Sequence, residues 1–109
     1  MMTLGIIFPM LLWRLLSKMK FLSSAVKIFP TNNEPKIYTG LRHVDCWEQI
    51  KNVFPNWPSM LMINGFLVED NNTVSFVDRY KGAKIAKELG YTLEYDHVLY
   101  SEDIWPETE

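Results

Sequence analysis

The stretch Val74–Gly90, VSFVDRYKGAKIAKELG, constrains this chain more than any other, because it reads as a strand running straight into a helix. Val74 and Phe76 alternate with Ser75 and Val77, the two-residue period of a strand with one face on a core. Asp78 follows where a helix N-cap belongs, since its carboxylate can accept the free backbone N–H groups of the next turn. Ala83, Ala86 and Leu89 then recur on one face with Ile85 beside them, while Lys81, Lys84, Lys87 and Glu88 can remain in water. Gly90 ends the helix at a position that favours positive φ.

The length of 109 residues allows one domain. With the first thirty residues outside the core, roughly 75 remain, and a domain of that size buries only about 60% of its unfolded surface. Such a unit is marginal, and dimerisation would help it. Charge is unevenly spread: residues 1–33 hold Arg14, Lys18, Lys20 and Lys27 with no acid, whereas residues 34–109 hold seven Lys or Arg and all thirteen Asp or Glu. A net-negative domain argues against nucleic acid as a partner, because such binding needs a basic surface that releases counterions. Cys46 is the single cysteine, so there is no internal disulfide framework and no cysteine-based zinc knuckle.

The N-terminal segment stands apart. Leu4–Trp13 is a ten-residue apolar run interrupted by Gly5 and Pro9, too short to span a bilayer, which takes about 20 residues. A helix from about Met10 would put Leu11, Leu12, Leu15, Met19 and Leu22 on one side, with Arg14, Ser17 and Lys18 on the other. That amphipathic helix would dock on the domain or on a second copy, or lie on a membrane surface through residues 10–27. A signal-like segment is the third reading, opposed by positive charge that follows the apolar run rather than preceding it.

Pro30–Pro35 (PTNNEP) reads as a turn-rich linker, which divides the chain into a segment 1–33, a compact domain 34–105 and a frayed tail 106–109. Lys36–Thr39 reads as a short strand. Asp45 and Glu48 then stand at capping-box spacing before a helix whose apolar face is Trp47, Ile50, Val53 and Phe54, stopped by Pro55. Met60–Ile63 and Phe66–Val68 flank Asn64-Gly65, a tight-hairpin signal, and Glu69–Thr73 makes a second turn into Val74–Val77. Tyr91–Tyr95 alternates weakly as a strand, and Ser101 caps a last turn. The expected fold is α+β: a small antiparallel sheet with two capped helices packed on it, preceded by the amphipathic N-terminal helix.

Three polar clusters invite chemistry: Arg42-His43-x-Asp45-Cys46, Asp78-Arg79-Tyr80 and Ser101-Glu102-Asp103. Asp45, Asp78 and Ser101 are all positioned as caps. Cys46 and His43 would serve a hydrolase only if the thiol pKa were lowered and an orienting partner present. Metal ligation by His43, Asp45 and Cys46, with His97, asks for a geometry that such close spacing rarely provides. Adjacent acids such as Glu102 and Asp103 are ordinarily just solvated. The arginines carry more, since Arg42 and Arg79 each lie beside a helix start, where a cationic fork, free N–H groups and the positive dipole end suit a phosphate or carboxylate. Tyr38, Trp47 or Tyr80 could stack on a flat ring. The candidate ligand-binding set is therefore Arg42, His43, Asp78, Arg79 and Tyr38. No phosphate loop, dinucleotide fingerprint or nucleophile elbow occurs, so neither a cofactor nor a catalytic set is assigned.

Over Lys36–Trp105 the chain resembles a family of small proteins of tailed bacteriophages. Four blocks carry the resemblance: Ile37–Gly40 with Arg42, His43, Asp45 and Cys46; Gly65–Leu67; Phe76–Arg79 with Ile85-Ala86; and Leu99–Asp103. Relatives usually begin just before the first block, which makes Met1–Pro30 look like an addition. The resemblance implies an accessory phage protein of the host cytoplasm with no associated reaction. It would be a non-enzymatic module that binds a host protein, a phage protein or a second copy, with Trp57, Tyr100 and Trp105 as anchors. The alternative is a pocket for a nucleotide-like or other anionic small molecule, with which a phage would sequester a host defence signal.

Overall fold

The computed structural model describes residues 19–31 and 33–106. Four strands, β1 (Lys20–Phe29), β2 (Lys36–Gly40), β3 (Leu61–Asp70) and β4 (Thr73–Asp78), form one antiparallel sheet in the order β2-β1-β3-β4. Helix α1 (His43–Val53) follows β2, α2 (Arg79–Glu88) follows β4, and a single turn, α3 (Ser101–Ile104), comes near the end. The α+β class read from the sequence is the observed one.

Both long helices lie on one face of the sheet. Asn64 of β3 accepts a hydrogen bond from Trp47 of α1, and Phe66, two residues on and therefore on the same face, packs with Ala83, Ile85 and Ala86 of α2. Under α1 the core is Val26, Ile28, Cys46 and Ile50; under α2 it is Phe21, Phe66, Val68, Val77 and the helix alanines, completed by Leu99 and Ile104.

The caps of α2 hold as read. Asp78 accepts from the Lys81 N–H at 2.8 Å. At the other end Gly90 takes φ +96°, and the N–H groups of Gly90 and Tyr91 close on the carbonyls of Lys87 and Ala86. Asp45 does not cap α1, and Ser101 does not cap α3. Each of these helices starts one residue after its N-cap, Arg42 or Tyr100, and the aspartate at the third helical position reaches back to that residue's N–H, at 3.0 Å in both cases.

Three expectations change. Lys20–Phe29 is a central strand, so the sheet takes in residues N-terminal to the boundary expected at 33, and Pro30–Pro35 connects two paired strands. The rest of the expected amphipathic helix, and the last three residues of the tail, lie outside the described residues. Asn64-Gly65 makes no turn: β3 runs through it, and the tight turn falls at Asn71-Asn72, whose φ values of 53° and 66° match the two-residue hairpin geometry. Tyr91–Tyr95 is a loop that holds one isolated bridge, Tyr95 to Val98.

Candidate functional site

The three polar clusters meet. Arg42, His43, Val44 and Trp47 from the first turns of α1, Arg79 from the first turn of α2, and Tyr100, Ser101 and Glu102 line one concavity of about 320 Å³. The C-terminal segment brings them together. The Leu99 N–H donates to the Arg79 carbonyl at 3.2 Å, and buried Leu99 fills the space over Gly82, where a β-carbon would lie 3.1 Å from the leucine. That anchoring carries Tyr100–Glu102 between the N-termini of the two long helices.

The arginines differ in their engagement. Arg42 is largely buried; its Nη1 pairs with Glu102 at 2.9 Å and its Nη2 donates to the Trp105 carbonyl at 3.2 Å. The Glu102 side chain is 63% exposed, so this pair is held mostly from the arginine side. Arg79 lies over the Tyr100 ring at 5.0 Å, and its Nε is buried without a hydrogen-bond partner. A buried guanidinium N–H left unpaired costs free energy.

His43 closes the floor. Its Nε2–H donates to the Gly65 carbonyl at 2.8 Å, because a carbonyl can only accept, and its ring stacks near Trp47 and meets the edge of Phe66. Burial is the main cause that holds its pKa below the usual 6.5. The Gly65 hydrogen bond opposes the shift, the Arg79 charge adds to it, and Glu102 works against it. The imidazole is thus neutral near pH 7, with the lone pair on Nδ1. A histidine harder to protonate when folded contributes stability in full above 6.5, and that contribution is lost as the pH falls through the lower folded value. Urea midpoints should therefore drop on acidification from pH 7.5 to 5, and drop less for His43→Gln, which keeps a donor for Gly65. Parallel pH profiles for the two proteins would contradict this assignment.

Two of the expected ligand residues lie elsewhere. Asp78 is exposed and occupied as the α2 cap, and Tyr38 packs edge-on to Phe54 over the α1 core. Tyr100 and Glu102 belong to the pocket although sequence reading assigned one to partner contact and the other to solvent. The signal for Glu102 was its place in the Ser101-Glu102-Asp103 cluster, whereas nothing local marks Tyr100. The expected aromatic anchors are also reassigned: Trp57 and Trp105 pack on the two cores, and Tyr100 lies under Arg79.

Cys46 is fully buried with its thiol pKa pushed up to about 11, first by burial and then by the Asp45 charge. Its Sγ faces the Ser24 and Arg42 carbonyls at 3.8 and 3.7 Å, so it stays a thiol near pH 7, poorly suited to be a nucleophile. Among the described residues no group of three His, Cys, Asp or Glu is placed to hold a metal, and no helix is long and apolar enough to cross a membrane. No family model matches the chain, nor does any curated protein or solved structure.

Proposed function

We propose that this protein is a non-enzymatic binding module, an accessory protein of a tailed phage, whose pocket takes a small anion attached to a flat or apolar body. What carries the reading is the convergence of the Arg42-His43 pair, Arg79 and Glu102, from three places far apart in sequence, on one concavity. The positive helix ends and the Arg79 guanidinium, held over the Tyr100 ring, favour the anion, while Trp47, Val44 and Tyr100 offer it an apolar wall. The concavity is at the small end of ligand sites, about 300–1,000 Å³, which suits a mononucleotide-sized molecule.

Calorimetric titration with adenosine monophosphate and with inorganic phosphate tests the proposal. The nucleotide should bind more tightly than phosphate, and Arg79→Ala should weaken it by about tenfold to a hundredfold, the scale of one lost charge-assisted hydrogen bond. Lys36→Ala, on the exposed edge strand β2, should bind as the parent does. No heat with either compound, or an Arg79→Ala protein that binds equally well, would sink the reading.

A further inference from the structure

The sheet has a second face, and among the described residues no helix covers it. Cross-strand pairing puts Ile37, Lys27 and Ile63 in one row, Leu67 and Phe76 in another, and Phe29 beside Leu61 in a third, all opposite in parity to the core-facing Val26 and Phe66. A one-sided antiparallel sheet normally alternates apolar-in with polar-out. Here the outward positions include Ile37, Leu61, Ile63, Leu67, Val74 and Phe76, and Leu61 is 66% exposed. A contiguous apolar patch of this kind marks an interface.

We propose that this face is the contact between two copies of the chain. Its size is of the right order: strands of ten, five, ten and six residues, about 4.8 Å apart at about 3.3 Å per residue, give roughly 500 Å² in projection, and more once corrugation is counted. A stable interface takes about 800 Å² from each partner. Its composition resembles a core cut in half, the mark of a permanent contact, so its occupant must be present whenever the chain is. A second copy meets that requirement. Charge permits it too, because the face carries Lys27, held near the Phe29 and Phe76 rings at 5.7 and 5.9 Å, together with the Lys20–Glu69 ion pair at 3.4 Å. Like faces then meet without a single-sign repulsion. The contact also answers the marginal size of the domain by giving its sheet a second buried side.

Sedimentation velocity on the full chain provides the test. The expected mass is about twice the 12.8 kDa of one chain. Ile63→Lys and Val74→Lys should each raise the dimer Kd by at least about tenfold with an unchanged far-ultraviolet spectrum, whereas Tyr80→Lys on α2 should leave it unaltered. A monomer at all concentrations overturns the proposal, including one whose own residues 4–13 cover the face. So does a dimer that both lysines leave intact. Where a lysine variant loses its fold, benzoylphenylalanine at position 63 decides the matter: cross-links to the same face of another copy support the contact, and cross-links to a helix or to residues 4–13 refute it.

Discussion

Gly65→Ala is expected to cost about 3 kcal/mol or more, a large share of the roughly 5–15 kcal/mol that holds a domain folded. An added methyl at a glycine of ordinary backbone usually stabilises by about 0.4–1 kcal/mol, because it restricts the unfolded chain. The sign reverses here for a local reason. A β-carbon at Gly65 would lie 2.1 Å from the Val77 carbonyl oxygen and 2.7 Å from Cζ of Phe76. The phenyl ring can turn aside, but the carbonyl belongs to β4, which pairs with β3 from Gly65↔Asp78 to Asp70↔Thr73. Relief means moving β4, and with it the Asp78 cap and Arg79 at the pocket. The Gly65 carbonyl also accepts from His43, so the floor of the pocket shifts as well. Urea unfolding of the variant measures the cost. A loss below about 0.5 kcal/mol, the range of an ordinary surface change, would mean that the strands separate freely here.

The same glycine shows where sequence reading stops. Asn64-Gly65 carries the composition of a hairpin turn, but glycine also serves where two chains approach closely, and only the neighbouring strand tells the two apart. Asp78 and Gly90 were legible because a cap and a C-terminal glycine interact within their own helix. Lys20–Phe29 was not. Its pairing slips between Phe21 and Ser23, which breaks the two-residue period, and Ser24 and Ala25 are fully buried although neither is large or strongly apolar. With the alternation broken, Leu15, Met19 and Leu22 fit a helical stripe equally well. Both arginines could be read as ligand groups from their place beside helix starts. That they share one pocket depends on Leu99 docking beside Gly82, a contact made across the fold that no local spacing encodes.

Phe66→Ala is expected to be comparably severe, about 3–5 kcal/mol, the range for a large side chain deleted from a closed core. Phe66 is fully buried, and its ring is the joint between parts that are remote in sequence: Phe21 of β1 at 5.7 Å, His43 of α1 at 5.1 Å and Trp105 of the C-terminal segment at 6.4 Å. Gly82 lies close by, where a β-carbon would be 3.4 Å from the Phe66 ring. Aromatic neighbours on several sides cannot all collapse into the vacated space, so much of the cavity should persist and the loss should exceed that of simple transfer. Phe66→Leu, which keeps most of the volume, should cost markedly less. The two variants should also differ locally. His43 and Trp105 both lean on this ring, so the alanine variant should lose near-ultraviolet circular dichroism and nucleotide binding in part before the sheet unfolds. Equal urea midpoints for Phe66→Ala and Phe66→Leu would show that the ring is not the joint that couples pocket to core.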